Sequence, residues 1–173
     1  MWKFLVISTL VIISTLFLSA SSVFKTKPIN QQLVVNQHNS IRKELKIEPL
    51  MFSQECADFA QQWAEKLAKK NHGLSHSKKN KYGENIYWCS DISNETEMIN
   101  AWTEEKEFFN TKRRNHTKRN GHYTQMIWEN TKYVGTGMAI AKDGSQYWVC
   151  TYYPPGNWIG EKAYHSKLFK RPK

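Results

Sequence analysis

Two apolar stretches near the carboxy-terminal end, 133–141 and 146–153, constrain this chain more than anything else in it. Asp143-Gly144 lies between them and is a hairpin turn signal. In the second stretch Tyr147, Val149, Thr151 and Tyr153 alternate with Trp148, Cys150 and Tyr152, so neither face is predominantly polar. A strand with two substantial faces belongs in a sheet covered on both sides. The covering layers must come from upstream, and the patterns there are helical.

Residues 31–45 place Leu33, Val34, Gln37, His38, Ile41 and Leu45 on one side of a helix. Ser53 then offers an N-cap, and Cys56, Phe59, Ala60, Trp63, Ala64, Leu67 and Ala68 form an apolar stripe at helical spacing. Glu55 near the start and Lys69-Lys70 near the end complement the dipole of that helix. A third helix is expected over 95–109, with Met98, Ala101, Trp102, Phe108 and Phe109 buried. A basic loop over 110–120 leads to a short helix opening at Gly121. Helices first and strands late give an α+β fold, with helices packed on an antiparallel sheet.

The amino terminus reads as an export signal. Lys3 precedes an apolar run over 4–20, and the small residues Ser19, Ala20, Ser21 and Ser22 follow. Cleavage is expected between Ala20 and Val23, so that 1–22 is a signal peptide and the protein is secreted. An uncleaved membrane anchor is the alternative, although the run is short and carries Ser8, Thr9, Ser14 and Thr15. Residues 23–30, with Pro28, form an extended leader, and 31–173 is one domain. Export permits disulfides, but three cysteines (Cys56, Cys89 and Cys150) allow at most one internal bridge, with Cys89–Cys150 slightly favoured. Asn94-Glu95-Thr96 and Asn115-His116-Thr117 are glycosylation acceptors in a eukaryotic host.

The net charge of +10 attracts anionic membrane surfaces and glycans. Its clusters, among them Lys112-Arg113-Arg114 and Lys118-Arg119, punctuate loops without the aromatic interleaving of a strand-binding groove. With an export signal, this makes nucleic acid an unexpected partner.

Four polar residues stand out for chemistry. Glu105 falls three positions after Trp102, on the buried side of the expected helix, where a carboxylate needs a partner unless it reaches water at the boundary. Glu84 sits among aromatics in Tyr82-Gly83-Glu84-Asn85-Ile86-Tyr87-Trp88, His122 follows Gly121 at a helix start, and His76 lies in a Ser-His-Ser loop. Spacing alone makes no metal site of them: there is no H-E-x-x-H helix and no C-x-x-C.

His38-Asn39-Ser40-Ile41-Arg42, Gly83-Glu84-Asn85-Ile86, Gly121-His122-Tyr123-Thr124-Gln125-Met126-Ile127-Trp128, and the run from Tyr147 through Pro154-Pro155-Gly156-Asn157 occur in that order. Together they resemble the motifs of the CAP superfamily (cysteine-rich secretory, antigen 5 and pathogenesis-related-1 proteins). With few cysteines and no cysteine-rich carboxy-terminal module, the chain looks most like the short Golgi-associated plant-pathogenesis-related type, with an export signal added. The resemblance implies a three-layer α-β-α sandwich with a central antiparallel sheet. It also implies a cleft bearing His76, Glu84, Glu105 and His122. His76 and His122 would hold a weakly bound divalent metal such as Zn2+, and Glu84 and Glu105 would orient its ligands or act in catalysis. Lipid carriage is the other implied activity, with Tyr82, Tyr87, Trp88 and Ile92 offering apolar surface to a sterol or another lipid, unless Tyr87 and Trp88 belong to the core. The expectation is therefore a secreted lipid- or sterol-binding protein. The alternatives are a metal-dependent hydrolase using the cleft, or an effector that binds a host protein or anionic glycan. A polar cluster that merely staples the cleft walls together is the structural alternative to catalysis.

Overall fold

The computed structural model describes residues 28–78 and 81–165; the expected signal peptide, most of the leader and the last eight residues lie outside them. The helices are α1 (Gln31–Glu44), α2 (Gln54–Lys70), α3 (Glu95–Thr103) and α4 (Gly121–Met126), with a 3-10 turn over Glu104–Phe108. The strands are β1 (Met51–Phe52), β2 (Gly83–Cys89), β3 (Tyr133–Ile140) and β4 (Gln146–Tyr153). They form one sheet in the order β1-β3-β4-β2. β2, β4 and β3 pair antiparallel, and the two-residue β1 adds a parallel edge beside β3. Beyond β1 the open edge of β3 is met by two glutamine side chains. Gln31 bonds both the N–H and the C=O of Thr136, and Gln61 does the same for Met138. These bonds satisfy an edge that would otherwise invite another strand.

The three layers follow from the alternation along β3 and β4. One face shows Gly135, Gly137 and Ala139 beside Tyr147, Val149 and Thr151, and α2 lies across it with Ala60, Ala64, Leu67 and Ala68 inward. A Cβ at Gly135 would stand 2.1 Å from the Ala57 nitrogen, and one at Gly137 2.2 Å from the Gln61 nitrogen. Only glycine permits that approach. The other face carries Val134, Met138, Trp148 and Tyr152 and packs against α1, α3 and α4 through Val34, Val35, Met98, Ile99, Trp102 and Tyr123. Ser53 caps α2 as expected, accepting from the Cys56 N–H, and Asn94 caps α3 through the Thr96 and Glu97 N–H groups.

Three expectations change. The segment 82–92, where no strand was expected, is mostly strand: Gly83–Cys89 is β2, on the edge of the sheet. Its Tyr87, Trp88 and neighbouring apolar residues lack clean alternation, so a partner strand supplied what the pattern did not. The helix expected over 95–109 ends at Thr103 and tightens into the 3-10 turn. Glu104, Glu105 and Glu107 are acidic where the helix dipole disfavours anions, and Glu105 is engaged elsewhere. The Cys89–Cys150 bridge is absent, and all three cysteines are free. Register pairs Cys150 with Asn85 and Cys89 with Gln146, four residues along the strand. That offset is roughly 13 Å at strand rise, beyond the ~7 Å a bridge spans. The Cys150 sulfur instead lies 2.9 Å from the Thr136 hydroxyl, and burial pushes its thiol up to about 12.

Candidate functional site

His122 is the second residue of α4, and Glu105 reaches it from the 3-10 turn. One Glu105 oxygen accepts from the His122 Nδ1–H at 2.6 Å. The other accepts the backbone N–H groups of His122 and Tyr123, at 2.8 and 3.1 Å. Asn120 precedes the helix but makes no side-chain cap, so the carboxylate of Glu105 serves as the cap, where the helix dipole favours an anion. Trp102 stacks on the imidazole of His122, with ring centroids 5.9 Å apart and planes at 19°.

The other pair comes from the α2 side. Glu84 projects from β2 beneath the loop that follows α2. Its carboxylate accepts from His76 Nδ1 at 2.7 Å, from the Ser77 N–H at 3.0 Å and from the Ser77 hydroxyl at 2.7 Å. The Glu84 side chain is 4% exposed and the His76 side chain 65%. A buried carboxylate is thus satisfied by three donors, while the imidazole it holds stays in solvent. The Glu84 carboxylate raises the His76 imidazole above its ordinary value, against the opposing effect of burial.

His76, Glu84 and His122 share a cavity of about 210 Å³ with Asn85, Lys118 and Asn157, over the outer edge of β2. Glu105 does not line it and stands behind His122. Three of the four expected residues therefore meet in one cleft, and the fourth positions one of them. Both histidines turn Nδ1 to a carboxylate, which leaves each Nε2 for a ligand. Among the described residues no group of three or more His, Cys, Asp or Glu is arranged to hold a metal ion. The protein nitrogens available are two, a partial shell that water would have to complete. Both carboxylates accept from ring and backbone donors, which makes them orienting groups for the imidazoles.

His38 was expected on the inner side of the first helix, and Arg42, Asn85 and Asn157 were legible only as parts of motifs, none with a role of its own. His38 is fully buried; its Nδ1–H donates to the Val34 carbonyl, so its Nε2 accepts from the Tyr152 hydroxyl at 2.9 Å. The Tyr152 oxygen accepts from the Asn85 amide, which also donates to the His122 carbonyl. A chain of hydrogen bonds thus runs from the middle of α1 to the cleft. Burial, more than the nearby Arg42, lowers His38 to about 4 and keeps it neutral. Arg42 donates to the carbonyls of Glu48, Met126, Trp128 and Thr131, fixing the carboxy-terminal end of α4. Asn157, at positive φ, holds the start of α4 through Thr124 and the Gly121 carbonyl. The signal for these residues was polarity within otherwise apolar patterns.

The four expected lipid contacts do not form one patch. Tyr82 lies at the start of β2 against Phe59 and Tyr153. Tyr87 packs on the aromatic core, whereas Trp88 and Ile92 at the far end are 45% and 87% exposed.

A family model described as CAP, the cysteine-rich secretory protein family, matches residues 35–152. Pathogenesis-related protein PR-1 of Medicago truncatula is 31% identical over 156 residues, 88% of this chain and 88% of its own length. Golgi-associated plant pathogenesis-related protein 1 of Homo sapiens is 33% identical over 138 residues, 78% of this chain and 89% of its own. Among solved structures, the crystal structure of NaASP2 with Zn2+ superposes with a TM-score of 0.67 at 25% identity, over 82% of this chain and 90% of that one.

Proposed function

This chain belongs to the cysteine-rich secretory protein (CAP) family, and from that premise we propose that it is an exported binding protein whose cleft holds a divalent cation, zinc by preference, between His76 and His122. The observation that carries the reading is the matched pair of Nδ1–carboxylate bonds, 2.7 Å at His76 and 2.6 Å at His122. Such bonds fix the tautomer and raise the basicity of the opposite nitrogen, as outer-shell carboxylates do for zinc-bound imidazoles. The donor set fits: two neutral imidazoles suit zinc, and the open positions suit water or a ligand oxygen. When bound, the metal would supply a Lewis-acidic centre; the residues of this chain hold the imidazoles and line the cavity. NaASP2, a structural relative, was crystallised with Zn2+. Export is supported by the basic and apolar start of the sequence. Among the described residues no helix is long and apolar enough to cross a membrane.

Zinc titration by calorimetry tests the reading. His76→Ala or His122→Ala should abolish measurable binding, and Glu105→Gln should weaken it by about tenfold to a hundredfold. His116→Ala and His165→Ala should change nothing. Unaltered affinity in the His76→Ala, His122→Ala double variant would sink the idea.

Lipid or sterol carriage is the second reading. It is supported by the exposure of Trp88 and Ile92 at one end of the β2 edge. A sterol binds chiefly by apolar area removed from water, at about 25 cal/mol per Å², which a charged cleft does not offer. Trp88→Ala should then abolish sterol transfer and leave zinc binding intact.

A further inference from the structure

We infer that a second pocket, where the amino-terminal end of α2 meets the sheet, binds a quaternary ammonium group. The pocket has a volume of about 250 Å³ and is walled by Phe52, Tyr82, Tyr133 and Tyr153, with the Glu55 carboxylate at its rim. It shares no lining residue with the His/Glu cleft, so the inference stands apart from the metal reading. Tyr82 and Tyr153 meet edge-on, with centroids 6.1 Å apart and planes at 71°, so they form two sides of a box. Phe59 backs Tyr82 at 4.8 Å. Phe52, Tyr133 and Tyr153 are each close to 40% exposed, an unusual concentration of aromatic surface left open to water.

An ammonium group already lies over two of these rings. The Lys81 nitrogen lies 5.3 Å from the Tyr82 ring centroid and 5.4 Å from that of Tyr153, and it donates to Glu55 at 2.7 Å. Two π faces and a carboxylate thus converge on one cation, the arrangement that recognises methylated ammonium ligands. Lys81 is an exposed side chain on a surface ion pair, which holds it by little, so it can be displaced. A primary ammonium from solution would offer nothing that Lys81 does not. A trimethylammonium group has no N–H to hydrate and gains from covering the aromatic walls. The net positive charge of the protein opposes a cation only over the ~8 Å screening length of physiological salt. The trimethylammonium could come from a free solute or from the head group of a zwitterionic lipid.

Titration of the full chain with choline chloride at constant ionic strength, followed by NMR of the tyrosine ring protons, tests the site. Saturable shifts confined to Tyr82, Tyr133 and Tyr153 are expected. Lys81→Met, which removes the internal competitor, should tighten binding about tenfold, and Tyr82→Leu should weaken it by a similar factor. Glu55→Gln, at an exposed position, should weaken it several-fold and decides the matter if Tyr82→Leu does not fold. Phosphatidylcholine vesicles separate the two sources. Sedimentation with the vesicles that is lost in Glu55→Gln identifies the lipid head group, and choline binding without sedimentation identifies a free solute. The inference is overturned if no saturable shift occurs in either wild type or Lys81→Met. It is equally overturned if Lys81→Met leaves choline affinity unchanged or weaker.

Discussion

Under α2 the sheet presents glycine and alanine from β3, and the helix approaches until a single added carbon would strike its backbone. On the opposite face the sheet presents Trp148 and Tyr152, and the space between layers is filled by large rings and bridged by buried polar groups. The first face depends mainly on close approach, with one buried hydrogen bond across it, from the Thr151 hydroxyl to the Cys56 carbonyl. The second depends on hydrogen bonds whose partners are far apart in sequence. The cleft takes one His–Glu pair from each. His76 sits on an exposed loop, tied down by Glu84. His122 is stacked on Trp102, capped by Glu105 and linked through Asn85 and Tyr152 to His38. One half of the site is built into the core, and the other rests on an exposed loop that the Glu84 carboxylate holds through His76 and Ser77.

The difference between the two faces should have its largest effect at Gly137. Gly137→Val should cost about 5 kcal/mol or prevent folding, because the Cβ would collide with the α2 backbone and not with a flexible side-chain end. Denaturant unfolding measures this, and a loss below ~1 kcal/mol would mean that the helix can lift away cheaply. On the other face, Arg42→Met should cost about 4 kcal/mol, since it strands buried carbonyls. The same variant should broaden the NMR signals of α4 while leaving those of α2 sharp. Equal broadening in both would show that the faces are not independent.

Acid sharpens the contrast further. His38 has a folded-state value near 4, below its unfolded value of about 6.5, so the unfolded chain takes up the proton first. Its stabilising contribution is full above pH ~6.5 and is lost as pH falls toward 4, a span on the order of 3 kcal/mol. Stability measured across that window should fall for the wild type and fall less for His38→Gln. Parallel curves for the two proteins would remove His38 as the cause. Least of all, Trp88→Ala should shift stability by about 0.5 kcal/mol or less, because the side chain stands half in solvent on an edge strand. A larger loss would move Trp88 into the core and void its use as a lipid contact.

Helix α2, the β3–β4 hairpin and the short helix at Gly121 were legible in the sequence, each from a local rule: an apolar stripe with a cap, alternation around Asp143-Gly144, and a motif start. His76, Glu84, Glu105 and His122 were singled out through motif resemblance. Their pairing was not. Glu84 is eight residues from His76, Glu105 seventeen from His122, and neither spacing is that of one helix or one strand. β2 was missed because an edge strand between aromatics declares itself only by its partner. Glu105 was expected on a helix and proved to cap a different one.

Periodicity, caps and turn residues act between neighbours in the chain, so the sequence by itself determined the main helices, the hairpin and the α+β class. The remainder depends on contacts across tens of residues: β2 on the sheet edge, the free cysteines, the neutral His38, the Glu105 cap and the two-sided cleft. Tertiary structure alone decided these, because burial and register assign each polar group its partner, and neither exists until the layers have packed.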